Sequence, residues 1–283
     1  MYGDILITSV ALLALIIATI TDLKSKEVPD YLSYLLIALG FSYRIFYSIL
    51  NYDLYYFLYG LLGFGVTFLI GVCLYYSRQW GGGDTKLLMG LGIIFATPPY
   101  FIQEKFFLLN LIFNIFLAGA IYGIFYGVYL AFKNKTKFLK ELKRILEGSK
   151  IKFIRTFSFI ISAILFILVL LSKDYATRII LFGFIIFLMF YIHLWIFVKS
   201  VENVCMFKTV QTSKLMDGDW VVEDVIAKKK LIYDKNKLSV EKKDILRFMK
   251  EGVKSVKIKD GIPFVPSFLI GTIVTLIFGS VFF

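Results

Sequence analysis

Apolar runs dominate the chain and recur from one end to the other. They occupy about 5–21, 31–50, 54–77, 85–100, 106–132, 154–172, 178–198 and 262–283. Most approach the ~20 residues that an α-helix needs to cross a ~30 Å hydrocarbon layer, so the pattern predicts about eight transmembrane helices. The fourth is short: at ~1.5 Å per residue it covers only about 24 Å. Pro98 and Pro99 close it.

Charge sorts the connections between these runs into two sets. One set holds Lys24 and Lys26, Arg78, the run from Lys133 to Arg155, and everything from Lys199 to Lys259. The other holds only Lys105, Lys173 and Arg178, with no base near residues 51–53 or at the N-terminus. Eight crossings place the whole basic set on one side. The positive-inside rule makes that side cytoplasmic, with both termini outside.

Two cytoplasmic stretches have more character. Segment 133–153 is basic, and within it Phe138, Leu142, Ile145 and Leu146 fall at helical spacing between lysines. It reads as an amphipathic helix on an anionic leaflet, with a lysine-rich linker free of lipid as the competing reading. Segment 199–260 reads as a small cytoplasmic α+β domain. There 214–225 suggests strand and turn around Asp217-Gly218, Ser239 precedes a helix over 240–250 that stops at Gly252, and Val256 and Ile258 alternate as a strand. The expected organisation is therefore membrane helices over 1–132, the basic segment 133–153, an additional helix pair over 154–198, the α+β domain 199–260 and a final helix over 261–283.

Composition agrees. Hydrophobic residues make up 59% of the 283 and charged residues 18%, against roughly 45–50% and 25% in soluble domains. A soluble globular protein is excluded. The net charge of +12 would raise nucleic acid in a soluble chain, but here the bases lie between spans and match anionic lipid headgroups, so no nucleic acid is expected. Cys73 and Cys205 form no CxxC pair, which predicts neither a disulfide framework nor a thiolate metal site. The first apolar run lacks a basic leader and an A-x-A site, so it reads as a retained helix.

Acidic residues at membrane spans are the natural candidates for chemistry. Asp22 ends the first span and Asp84 opens the fourth, and the charge parity puts both at the same face. Two carboxylates meeting in a partly dry site cannot both be charged cheaply. One keeps a proton, and the pair can act as base and acid on a shared water. That is aspartic-protease chemistry and needs no metal or cofactor. Gly81, Gly82 and Gly83 fit it, because backbone without Cβ atoms can turn sharply, admit an extended peptide and act as a hinge. Helix capping by the aspartates is the blander alternative. Lys86, close to Asp84, either tunes the site and contacts substrate or snorkels at a helix end. Arg44 is expected to reach the outer interface, His193 to make a helix–helix hydrogen bond, and Asn110 and Asn114 to stitch helices.

Gly81-Gly-Gly-Asp-Thr-Lys-Leu-Leu-Met-Gly-Leu-Gly92 resembles the GxGD motif of type IV prepilin peptidases, and Asp22 ahead of Val28-Pro29-Asp30-Tyr31 resembles their first motif. The tail from Gly261 to Gly271 is similar to the archaeal preflagellin and prepilin branch. The resemblance implies a GxGD aspartic protease bundle with Asp22 and Asp84 as the catalytic pair. It further implies endopeptidase cleavage of a short basic signal peptide, from preflagellins (archaellins) or prepilin-like proteins, at the cytoplasmic membrane face. Bacterial members with methyltransferase activity carry a tetra-cysteine zinc domain, which this chain lacks, so neither zinc nor methylation is expected. Preflagellin peptidases have six spans against the eight read here, which leaves the substrate class open. A proton-coupled transporter using the same aspartates, and a scaffold with structural aspartates, remain alternatives. The oligomeric state is left open.

Overall fold

A computed structural model describes residues 2–227 and 230–279. The chain divides into two compact units, 1–125 with 210–283, and 126–209.

The first unit holds α1 (Tyr2–Ser25), α2 (Asp30–Asn51), α3 (Leu54–Tyr76), α4 (Gly82–Ile94) and the start of α5 (Phe107–Lys133). The short α4 is the centre of this bundle. Thr85 and every residue from Leu87 to Ile94 are buried, which fits its apolar all-round sequence. Small residues let its neighbours come close. A Cβ on Gly71 would meet the Thr85 side chain at 2.8 Å and one on Gly90 would meet Leu36 at 2.9 Å, while Gly63 and Gly92 sit against Ala96 and Thr67. These are the contacts expected where membrane helices pack by van der Waals fit.

Among the described residues six helices are long and apolar enough to cross a membrane: α1, α2, α3, α5, α7 (Ser149–Leu171) and the stretch Tyr175–Met206. The expected fourth span is the 13-residue α4, which at ~1.5 Å per residue covers about 20 Å. The expected last span appears as α10 (Val265–Phe278), and its end at 280–283 lies outside the described residues.

Arg44 does not reach an interface. It is only 1% exposed, and its guanidinium donates to the carbonyls of Ile93 and Ile94, to Thr97 Oγ1 and to the Tyr56 carbonyl. The first two are terminal carbonyls of α4, which need an external partner where the helix stops. The planar five-donor fork serves all four acceptors at once.

The same unit contains a small α+β assembly. Strands β1 (Phe207–Gln211), β2 (Trp220–Val221) and β5 (Ser255–Lys259) form one sheet in the order β1-β5-β2, and β3 (Val225–Ala227) pairs antiparallel with β4 (Lys230–Tyr233). Val221, Tyr233, Val240, Phe248, Val256 and Ile258 close a separate core beside α9 (Lys242–Lys250). The alternation of Val256 and Ile258 is that of a strand with one buried face. The turn at Asp217-Gly218 is present with Gly218 at φ 101°, and α9 ends through Gly252 at φ 75°. The start of α9 differs from expectation. Its N-cap is Glu241, and Asp244 accepts the Glu241 N–H at 3.0 Å, so Ser239 lies outside the helix.

The second unit holds the end of α5, α6 (Lys135–Glu147), α7, α8 (Tyr175–Val201) and a π-helical turn, Glu202–Met206. Gly148 separates α6 from α7, so residues 149–153 belong to α7. The apolar stripe of α6 is half-buried, with Phe138 edge-on to Phe197 of α8 at 5.7 Å. His193 bonds within its own helix, to the Met189 carbonyl at 2.7 Å, rather than across helices. In the first unit Asn114 does stitch helices, donating to Thr275 Oγ1 and the Gly279 carbonyl at 2.9 Å, whereas Asn110 donates to Glu104.

Candidate active site

Asp22 lies in the last turn of α1, where Lys26 N–H bonds back to its carbonyl and Lys26 takes φ 59°. The side chain is 4% exposed. A buried carboxylate needs donors, and Oδ2 accepts the Val265 N–H at 2.9 Å. Val265 is the first residue of α10 and Pro266 after it has no N–H, so Asp22 takes a terminal amide at the positive end of that helix.

Asp84 is the third residue of α4, and its Oδ2 accepts the Gly81 N–H at 3.1 Å. It is partly exposed, unlike Asp22. The two carboxylates stand close enough to act on one another electrostatically, without a hydrogen bond between them among the described residues.

The connections bring the two motifs together. A Cβ on Gly83 would lie 2.9 Å from the Cβ of Val28, so the second motif packs directly on the first. Gly81 and Gly82 are open by comparison, with nearest neighbours at 3.6 and 3.9 Å. None of the three has positive φ; the left-handed residue of this turn is Arg78, at φ 57°. The sharp turn expected of the glycines is therefore made ahead of them, and what Gly83 supplies is room.

Four further ties hold the segments. Trp80 packs against Phe264 and Phe268 at 5.2 Å, joining the glycine turn to the start of α10. Lys26 Nζ contacts Asp260 Oδ1 at 2.7 Å and the Gly261 carbonyl at 3.0 Å. Arg78 donates to the carbonyls of Lys235, Asn236 and Lys237 at 2.8–3.1 Å, so the turn ahead of Asp84 is held by the α+β assembly. Lys86 pairs with Asp30 at 2.6 Å and lies over the Tyr34 ring at 5.1 Å, linking α4 to α2. Neither role foreseen for Lys86 includes this pair.

Sequence reasoning missed Val265, Arg78 and Lys26. The signal for α10 was Pro266 beside an apolar run, a pattern of helix starts, but nothing in it names Asp22 as the partner. Among the described residues no group of three or more His, Cys, Asp or Glu side chains is placed to hold a metal ion.

Residues 9–128 match the type IV leader peptidase family. A preflagellin peptidase of Methanocaldococcus jannaschii is 33% identical over 165 residues, which are 50% of this chain and 66% of that protein. One of Methanococcus maripaludis is 34% identical over 123 residues, 42% of this chain and 53% of its own length. A third, of Methanococcus voltae, is 31% identical over 155 residues, 50% and 66% of the two chains. The chain thus spans slightly under two thirds of these relatives at most. No solved structure matches it. Asp22, Val28 and Gly81 to Asp84 all fall inside the segment that matches the type IV leader peptidase family.

Proposed function

We propose that this protein is a membrane aspartic endopeptidase that removes the short basic leader of preflagellins or prepilin-like proteins at the cytoplasmic membrane face. The observation that carries the reading is the electrostatic contact of Asp22 and Asp84, from different helices, with Asp22 accepting the Val265 N–H of α10 and Asp84 accepting the Gly81 N–H at the start of its own helix. The names of the archaeal relatives supply the substrate class.

One carboxylate takes a proton from a water that attacks the scissile carbonyl, while its protonated partner gives its proton to the developing oxyanion; when the gem-diol collapses, the first carboxyl passes the water-derived proton to the leaving amine and the partner recovers a proton from the hydroxyl. The amides of Gly81 and Val265 hold the carboxylates so that little reorganisation accompanies the reaction. The extended substrate approaches past Gly81 and Gly82, where the backbone is open, with Gly83 closed off by Val28. Asp30 and Lys86, paired at the rim, position α4 against α2. No cofactor enters the scheme, and the new N-terminus leaves unmethylated.

The test is mass spectrometry of a preflagellin and a prepilin precursor incubated with membranes that contain the protein. The expected product is the mature chain with a free, unmethylated N-terminus. If every such precursor keeps its leader, the peptidase reading fails.

A further inference from the structure

The helix pair α7–α8 carries ionisable side chains on a surface that is otherwise apolar. Lys152 and Arg155 lie three residues apart on α7 and His193 lies on α8. With Thr156 they line a cavity of about 490 Å³ whose other walls include Phe159 and Ile192. All four polar side chains are exposed, beside outward-facing Phe157, Phe159, Phe187 and Phe190. In an apolar span a cation that faces outward needs an anion. Among the described residues neither Lys152 nor Arg155 has an acidic partner, and the nearest acids along the two helices, Glu147 and Glu202, are paired with Lys143 and Lys199. His193 commits Nδ1 to the Met189 carbonyl, which leaves Nε2 for another group.

The cations sit about 9 Å or less from the start of α7, at ~1.5 Å per residue, which is headgroup depth rather than mid-membrane. Charge at that level above an apolar groove is the complement of an anionic headgroup above its acyl chain. A free anion would satisfy Lys152 and Arg155 but leave Phe159 and the half-buried Met189 uncovered. We propose that this groove is a binding site for one anionic phospholipid. Lys152 and Arg155 hold its phosphate, the Thr156 hydroxyl donates beside them, His193 Nε2 accepts from a headgroup hydroxyl, and an acyl chain lies along Phe159 and Met189.

The test is native mass spectrometry of the full-length protein released from nanodiscs of equal phosphatidylglycerol and phosphatidylcholine. One phosphatidylglycerol is retained per chain, with a preference of about tenfold over phosphatidylcholine, and Lys152→Gln/Arg155→Gln reduces it to parity. Lys137→Gln/Lys140→Gln on α6 leaves the preference intact. Equal retention of the two lipids by the wild-type protein overturns the proposal without recourse to any variant. A preference that survives the α7 double substitution also overturns it, and so does displacement of the lipid by soluble glycerol phosphate, which would mark a free-anion site.

Discussion

Gly83 has so little space that its role can be tested by a single methyl group. The Cβ of Gly83→Ala would stand 2.9 Å from Val28 Cβ, closer than side-chain carbons approach, so either α4 or the 26–29 connection must move. Because a displacement of about 1 Å at a catalytic group costs on the order of 100-fold, Gly83→Ala is expected to lower kcat by at least about tenfold. Adding Val28→Gly, which removes the opposing Cβ, recovers most of that loss. Arg44 makes a prediction of another kind. Its fork serves four oxygens in a buried setting, and lysine, a point donor, cannot span them. Arg44→Lys leaves carbonyls of α4 unsatisfied and destabilises the bundle by about 1–3 kcal/mol, read as a lower unfolding temperature in detergent. From sequence, a charge inside a span suggests snorkelling. That it instead caps a helix ending within the bundle depends on α4 being short, and on where α4 stops relative to α2.

Among the elements, those with a strong local signal formed as read. The long apolar runs became helices, Gly218 and Gly252 took the left-handed positions of a turn and a helix end, and Val256 and Ile258 became the buried face of β5. Elements defined by distant contacts were not legible. The hydrogen bond from Val265 to Asp22 joins residues 243 positions apart, and no periodicity in either segment encodes it. The start of α9 is intermediate: a helix was expected over 240–250 behind Ser239, and the helix instead starts at Lys242 behind Glu241. Asp244 makes this element pH-sensitive. Burial pushes its carboxyl up, but the Lys237 ammonium and the Glu241 N–H outweigh burial and hold it below the usual carboxylate range. A folded-state value below the unfolded one means that the stabilisation is present above the ordinary Asp value of about 3.9 and is lost as pH falls through the folded value. Amide exchange in α9 should therefore lose protection below about pH 4 in the wild type. Asp244→Asn lowers protection at neutral pH by about 1 kcal/mol and flattens this acid dependence. An unchanged acid limb in Asp244→Asn would remove the carboxylate from the explanation.

For the whole molecule, the hydropathy pattern identified a polytopic membrane protein, and the six long apolar helices among the described residues and the match to the leader peptidase family agree with it. Eight spans were expected, and the other two appear as the shorter apolar helices α4 and α10, both of which begin at the aspartate site. The sequence placed the two aspartates at one face through charge parity and resemblance. It did not reveal that α10 and the α+β assembly hold both aspartate segments, through Asp260, Val265 and the carbonyls around Asn236. The central claim is that Asp22 and Asp84 act as one catalytic unit. It is tested most directly by kcat for a preflagellin precursor with Asp22→Asn, Asp84→Asn and the double variant, each checked for wild-type melting. The account predicts that each single change lowers kcat by about 10³-fold or more and that the double variant is no worse than either single one, as for groups that work together. Near-wild-type cleavage by either variant, or losses that multiply in the double variant, would contradict it.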